Sequence, residues 1–370
     1  LARFAVRAFL FTARIAAARS SLARTSSAIA KIRGSPGRSD YHVKRFQNGG
    51  TVMNKFINIV ACLVAAALLC VASVSPSQAQ TTAYVSGKGL DANACTLSAP
   101  CKTIGHAFSA AGPGGTVTCL DAGPYTEGFA PVTNSPFTLD CRGVVYNSGS
   151  GFAVVMPGGG FAPVATFRHV IFDGSAGGGG AVKINGGSAV FEDCTFQNFT
   201  ASPGEAVQFA PSVAGSYLAI RDSVFLNNGV AAGGGGVIIQ PSGGVKATAV
   251  IERTQVTGNT YGIVANGAGG TVLVDIRYSS VAGSALDGIW AYTTGPVTSI
   301  VVEHSASVRN GGNGINATGA NAYVSLNGST SDWNGTGLAT SSAGTVLSYQ
   351  NNLFGGNVSP GVTPVSVSQQ

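Results

Sequence analysis

Three residues in the middle of the 370-residue chain have side chains and spacing suited to chemistry: Asp193, Asp222 and Arg253. They fall at the same point of successive segments, 29 and 31 residues apart. If those segments stack, equivalent residues lie about 5 Å apart. Two carboxylates that close repel, which raises one carboxyl pKa and suits an acid/base pair. A glycosidase uses such a pair, one group as acid and the other as base or nucleophile. A lyase instead needs a base beside a uronate carboxylate, with Arg or Ca²⁺ stabilising the charge that develops. Arg253 suits that role, and two carboxylates are hard ligands for Ca²⁺. The plainer alternative is that both aspartates open turns and cap their own backbone.

An internal repeat positions these residues. Gly236-Val237, Gly262-Ile263, Gly288-Ile289, Gly314-Ile315 and Gly337-Leu338 recur at intervals of 26, 26, 26 and 23. A second apolar point follows the same rhythm through Phe172, Phe196, Phe225, Val256, Val281, Ser307, Ser331 and Leu353. Each unit has room for two or three short β-rich strands between Asn, Gly and Ser turns, and none for a helix. A period near 25 of this kind predicts a parallel β-helix, a solenoid whose coils stack on an interior column. Phe191, Ile220, Ile251, Ile276 and Val302 form the predicted inward column. Cys194, Ser223, Thr254, Ser279 and Ser305 form a small-residue column beside it.

Four residues before each apolar point the charges alternate: Arg168, Glu192, Arg221, Glu252, Arg277, Glu303, then Asn327. Stacked on an outer face, this column makes a salt-bridge ladder that fixes register, each exposed pair contributing about 0–1 kcal/mol. Its functional alternative is a polar stripe that recognises polysaccharide. The next column reads His169, Asp193, Asp222, Arg253, Tyr278 and His304, and is mixed in type. On another strand, an inward Ile289 turns Trp290 and Tyr292 outward. An exposed aromatic pair stacks on sugar rings; a pair covered by a loop does not. Trp290, Tyr292 and His169 are the candidate substrate contacts.

The formal net charge of +6 is unevenly placed. Residues 1–52 hold ten Lys/Arg and one acid, Asp40; they read as upstream translation, with an organellar leader as the alternative. From Met53 a basic start, the apolar run Ile59–Ala72 and the ending Ser77-Gln78-Ala79 match a secretory signal with cleavage after Ala79. Residues 80–370 then carry 10 Lys+Arg and 14 Asp+Glu, a net charge of −4. That disfavours nucleic acid as a partner, and the run is too short for a membrane span. The expected product is secreted or periplasmic. Export permits disulfides. Cys95 and Cys101, close together in one loop, are expected to pair. Cys119 and Cys141, 22 residues apart in similar strands, stack as either a disulfide or buried thiols. Cys194 is left for the interior. No CxxC pair or His cluster has metal-ligand spacing.

The opening of the body has its own pattern: Tyr84-Val85-Ser86, Pro100-Cys101-Lys102-Thr103-Ile104, Ala107, Ala110-Ala111, Gly114-Gly115-Thr116-Val117 and Gly123-Pro124-Tyr125. With the coil repeat, it resembles the pectate-lyase-like superfamily of secreted right-handed β-helix proteins, over residues 83–357. The resemblance implies an all-β, right-handed parallel β-helix with a short capping helix at 102–111. Its implied divisions are a cap and first coil at 80–115, the β-helix at 116–357 and a tail at 358–370. This architecture hosts lyases, hydrolases, epimerases, esterases and non-catalytic adhesins. The calcium-lyase and polygalacturonase-type clusters of aspartates are not matched here. The expected function is binding, and cleavage by lyase or glycosidase chemistry, of a polysaccharide. The expected cofactor is none, or Ca²⁺ for a lyase. The competing class is a non-catalytic surface or structural rod.

Overall fold

The computed structural model describes residues 81–125, 135–158, 163–230 and 233–368. The segments read as leader and signal, with Cys62 and Cys70, lie outside them. Among the described residues the chain winds into a parallel β-helix of three sheets, with twelve, nine and nine strands. A typical coil runs Ala247–Glu252 in the first sheet, Gln255–Thr257 in the second and Tyr261–Asn266 in the third. A turn then leads to Val272–Arg277, which pairs in parallel with Ala247–Glu252.

The expected inward column is in register: Phe191 pairs with Ile220, Ile220 with Ile251, Ile251 with Ile276 and Ile276 with Val302, all buried. Beside it Phe172, Phe196 and Phe225 stack face to face, with ring centroids 5.1 and 4.5 Å apart. Farther along, that second column turns polar. Ser307 and Ser331 are buried there, and their hydroxyls donate to the carbonyls of Gly314 and Gly337 at 2.6 and 2.8 Å. The recurrent glycine has a packing cause. A Cβ on Gly262, Gly288 or Gly314 would come within 2.3 Å of Val281, Ser307 or Ser331 of the following coil. The column ends on Phe354, not on Leu353: Phe354 pairs with Ser331, and Leu353 is exposed. Adjacent strand residues face opposite sides, so Leu353, one residue earlier, points outward and leaves the column to Phe354.

Two polar ladders hold the corners on either side of the second sheet. At the first, the hydroxyls of Thr254, Ser279, Ser305 and Ser329 each donate to the carbonyl two residues earlier. The hydroxyls of Ser279, Ser305 and Ser329 also accept the N–H of Thr254, Ser279 and Ser305, one coil back. At the second corner the Asn310 and Asn334 side chains repeat this with Asn334 and Asn357. These side chains satisfy buried backbone donors that the tight corners leave unpaired.

The cap is the helix Ile104–Ala111, which buries Ile104, Ala107 and Ala111. Thr103 caps it by accepting the His106 N–H at 3.2 Å. Both expected cysteine pairs are disulfides, Cys95–Cys101 and Cys119–Cys141, the latter joining adjacent coils at a Cα separation of 4.6 Å. Cys194 is free and buried, its thiol pushed up to about 12 by burial. Strands continue past residue 357: Ser359–Gly361 and Val365–Ser366 pair with Thr336–Ser341 and Thr345–Ser348. No helix among the described residues is long and apolar enough to cross a membrane.

Candidate functional site

The expected charge column lies in register on the outside of the first sheet, from Arg168 through Glu192, Arg221, Glu252 and Arg277 to Glu303 and Asn327. Asp140 extends it one coil earlier. Arg168 bonds Glu192 at 2.7 Å, Arg221 lies 3.8 and 3.7 Å from Glu192 and Glu252, and Arg277 is 3.2 Å from Glu303.

The mixed column is the corner itself. His169, Asp193, Asp222, Arg253, Tyr278 and His304 all have φ between +46° and +59°. Each is a one-residue left-handed turn between the first and second sheets, a conformation that Asp and His tolerate better than most residues. The corner brings Asp222 and Arg253 together: Arg253 donates from Nε to Oδ1 at 2.7 Å and from Nη2 to Oδ2 at 3.0 Å. It also donates to Glu252. Hydrogen bonding to Arg253 holds the Asp222 carboxyl below its usual range. That direction is opposite to the rise expected of a like-charged pair, because the cation is the nearer neighbour. No hydrogen bond joins Asp193 to Asp222 among the described residues. Asp193 is largely exposed, 4.0 Å from His169 Nε2, while His169 Nδ1 pairs with Asp140 at 2.8 Å.

The third sheet presents a different surface. Ile289 and Ala291 are buried, so Trp290 and Tyr292 point outward, half-buried. Tyr261 joins them from the preceding coil. Its ring stacks on Trp290 at 5.5 Å and 28°, and Tyr292 tilts against Trp290 at 5.5 Å. Trp290 Nε1 donates to Thr318 Oγ1 at 3.2 Å. Beside the rings, the buried Asp287 carboxylate accepts three hydrogen bonds at 2.8 Å. Two come from Asn313, backbone and side chain, and one from Asn316 Nδ2. Burial, then the Asp287 charge, pushes the Tyr261 phenol up, so it remains a donor. A depression of about 370 Å³ adjoins the patch, lined by Tyr292, Thr293, Gly295, Thr318, Asn321 and Ser342. The rings and the rim are thus fixed before any ligand arrives.

Toward the amino-terminal coils the outward row closes. Gln208, Ile238 and Val264, in register before Trp290, are each 7% exposed. Glu205 lies in this closed part, between Gly180 and Gly235 in the adjacent coils. Among the described residues, one of its carboxyl oxygens and Gln208 Oε1 are buried without a partner. Burial raises the Glu205 carboxyl to about 7, against the opposing charge of Lys183. An acid so placed keeps its proton where the exposed acids have lost theirs.

Sequence reasoning missed Glu205, Tyr261 and Asp287. Tyr261 and Asp287 stand two residues before the inward Ile263 and Ile289 in consecutive repeats, so strict alternation points them inward and hides them from the face of Trp290. Glu205 had no sequence signal, since its burial is a tertiary effect. Calcium, implied for lyases of this fold family, finds no fitting donor set at the expected aspartates: both Asp222 oxygens are held by Arg253. The one set of three grouped metal-ligand side chains among the described residues is Cys95, Cys101 and His106, where both sulfurs are in a disulfide.

These features define an all-β, right-handed parallel β-helix. Residues 138–275 match a family model described as a right handed beta helix region. Similar solved structures include a pectate lyase, Pel9A, at 14% identity and a TM-score of 0.45, covering 78% of each chain. A GH136 lacto-N-biosidase from Eubacterium ramulus aligns at 11% identity and 0.41, over 78% of this chain and 67% of its own. A rhamnogalacturonan lyase aligns at 14% and 0.34, over 72% and 75%. No curated protein matches the chain.

Proposed function

We propose that this is an exported carbohydrate-binding β-helix whose contact surface is the third-sheet patch of Tyr261, Trp290 and Tyr292. The stacked rings beside the Asp287–Asn316 hydrogen-bond set carry this reading. The negative faces of aromatic rings attract the weakly positive C–H faces of a sugar, and the fixed rim groups meet its hydroxyls. The β-helix likenesses to proteins named for acting on pectate, rhamnogalacturonan and lacto-N-biose point to the same ligand class. The two disulfides accord with export. In this reading Asp193, Asp222 and Arg253 serve charge pairing at the corner. Cleavage through them has less support, because Arg253 occupies the Asp222 carboxylate. The test is affinity electrophoresis through gels holding individual plant and bacterial polysaccharides. At least one should retard the protein, and Trp290→Ala should abolish the retardation. Retardation unchanged in that variant would overturn the patch. Release of reducing ends or unsaturated uronate that is lost in Asp193→Asn/Asp222→Asn would restore the corner as a catalytic centre.

A further inference from the structure

The outside of the second sheet holds another shaped surface. Its strands are three residues long, so their outward side chains form a narrow floor: Gln255 and Thr257, then Ser280, then Ala306, then Thr330. One wall is the left-handed corner of Arg253, Tyr278 and His304. Tyr278 is 60% exposed and stacks on His304 at 5.3 Å and 17°. Gly328 follows His304 in that column, and a Cβ there would sit 3.2 Å from the imidazole, so the missing side chain leaves the ring its place. Floor and wall enclose a depression of about 480 Å³. Across the strand, a second left-handed column carries Arg309 and Trp333, at φ +56° and +57°. Trp333 is 65% exposed and lies against Gly356, where a Cβ would come within 2.9 Å of the ring. Arg309 stands five residues after His304, so the walls stand no more than about 17 Å apart.

We propose that this trough is a second saccharide-binding site, on a different face from the third-sheet patch. It shares the ligand class of that reading but none of its residues. The chemistry selects the occupant. The floor offers hydroxyls, an amide and a methyl group, which suits a polar ligand, while the exposed rings on both walls ask for flat C–H surface. An extended peptide has no strand to join, because every floor strand is already paired along both edges. A polyanion such as nucleic acid is disfavoured by the net charge of −4 over residues 80–370. A sugar chain supplies ring faces and hydroxyls together.

The chain has two tryptophans, and each face holds one, so the sites can be read separately. The Trp290→Phe variant leaves Trp333 as reporter of the trough; Trp333→Phe leaves Trp290 as reporter of the patch. Both are titrated with cello-, xylo- and galacturono-oligosaccharides, with emission recorded and folding checked by circular dichroism. A saturable change in Trp333 emission is expected with at least one of the three. Adding Tyr278→Ala, or Ala306→Gln to fill the floor, should weaken it at least tenfold. A flat Trp290→Phe titration with all three would overturn the trough, as would a signal indifferent to both added substitutions. The Trp333→Phe titration tests the patch alone, so either reading can fail without the other.

Discussion

The corner between the first and second sheets and the outward face of the third sheet treat acidic groups in opposite ways. At the corner, Asp222 is exposed and pinned by Arg253, which favours its ionised form. On the third sheet, Glu205 is half-buried, with one oxygen buried and unpartnered among the described residues, and desolvation favours its protonated form. The corner spends its charges on one another, leaving little field for a ligand. The third sheet keeps few charges and holds rings and oriented amides instead. A residue type that looks reactive in sequence is therefore no guide until its nearest counter-charge is known.

The sharpest way to break this contrast is through Glu205. Its folded pKa of about 7 stands above the ordinary glutamate value of 4.5. Below pH 4.5 both states hold the proton and nothing is lost. As pH rises from 4.5 to 7 the unfolded chain releases its proton first, so stability falls, by an amount of the order of 3 kcal/mol. Glu205→Gln should remove that slope, raising the melting temperature at pH 8 and barely changing it at pH 4. Equal melting curves for both proteins across this range would show that the carboxyl is solvated. Next in size, Trp290→Ala should weaken saccharide binding tenfold or more, about 1.4 kcal/mol, in a calorimetric titration, with Asp222→Asn within twofold of wild type. At the corner itself Arg253→Ala should shift the urea-denaturation midpoint only slightly, since both partners are about half-exposed. Smallest of all, Arg221→Ala should change stability by about 0.5 kcal/mol, and less in high salt, because its ladder contacts are 3.7 and 3.8 Å long and exposed. A large loss of stability at either arginine would mean the corner is more buried and more strongly coupled than its geometry shows.

Much of the fold was legible because a solenoid writes its register into the sequence. Arg168, Glu192, Arg221, Glu252, Arg277 and Glu303 read as one column and are one column. What failed to show was the backbone state between columns. His169 to His304 look like a functional mixture until their shared positive φ makes them a turn. The asparagine ladder was also in view, since Asn228, Asn259, Asn310, Asn334 and Asn357 each stand three residues after a second-sheet apolar point, counting Phe354 as the last. It was hidden by the habit of reading asparagine as turn punctuation, when here it is a buried hydrogen-bonding side chain. For the site, the outward pair Trp290 and Tyr292 followed from alternation alone. Tyr261 and Asp287 complete it through contacts between coils, and the closed row that half-buries Glu205 is set by packing that no single repeat records.

Hydrogen exchange of the protein with and without a bound oligosaccharide tests the central contrast most directly. The account predicts slowed exchange in Tyr261–Asn266, in Ile289–Tyr292 and in Asn313–Thr318, with the turns around Asp193 and Asp222 unchanged. Protection confined to those two turns, with none on the third sheet, would contradict it.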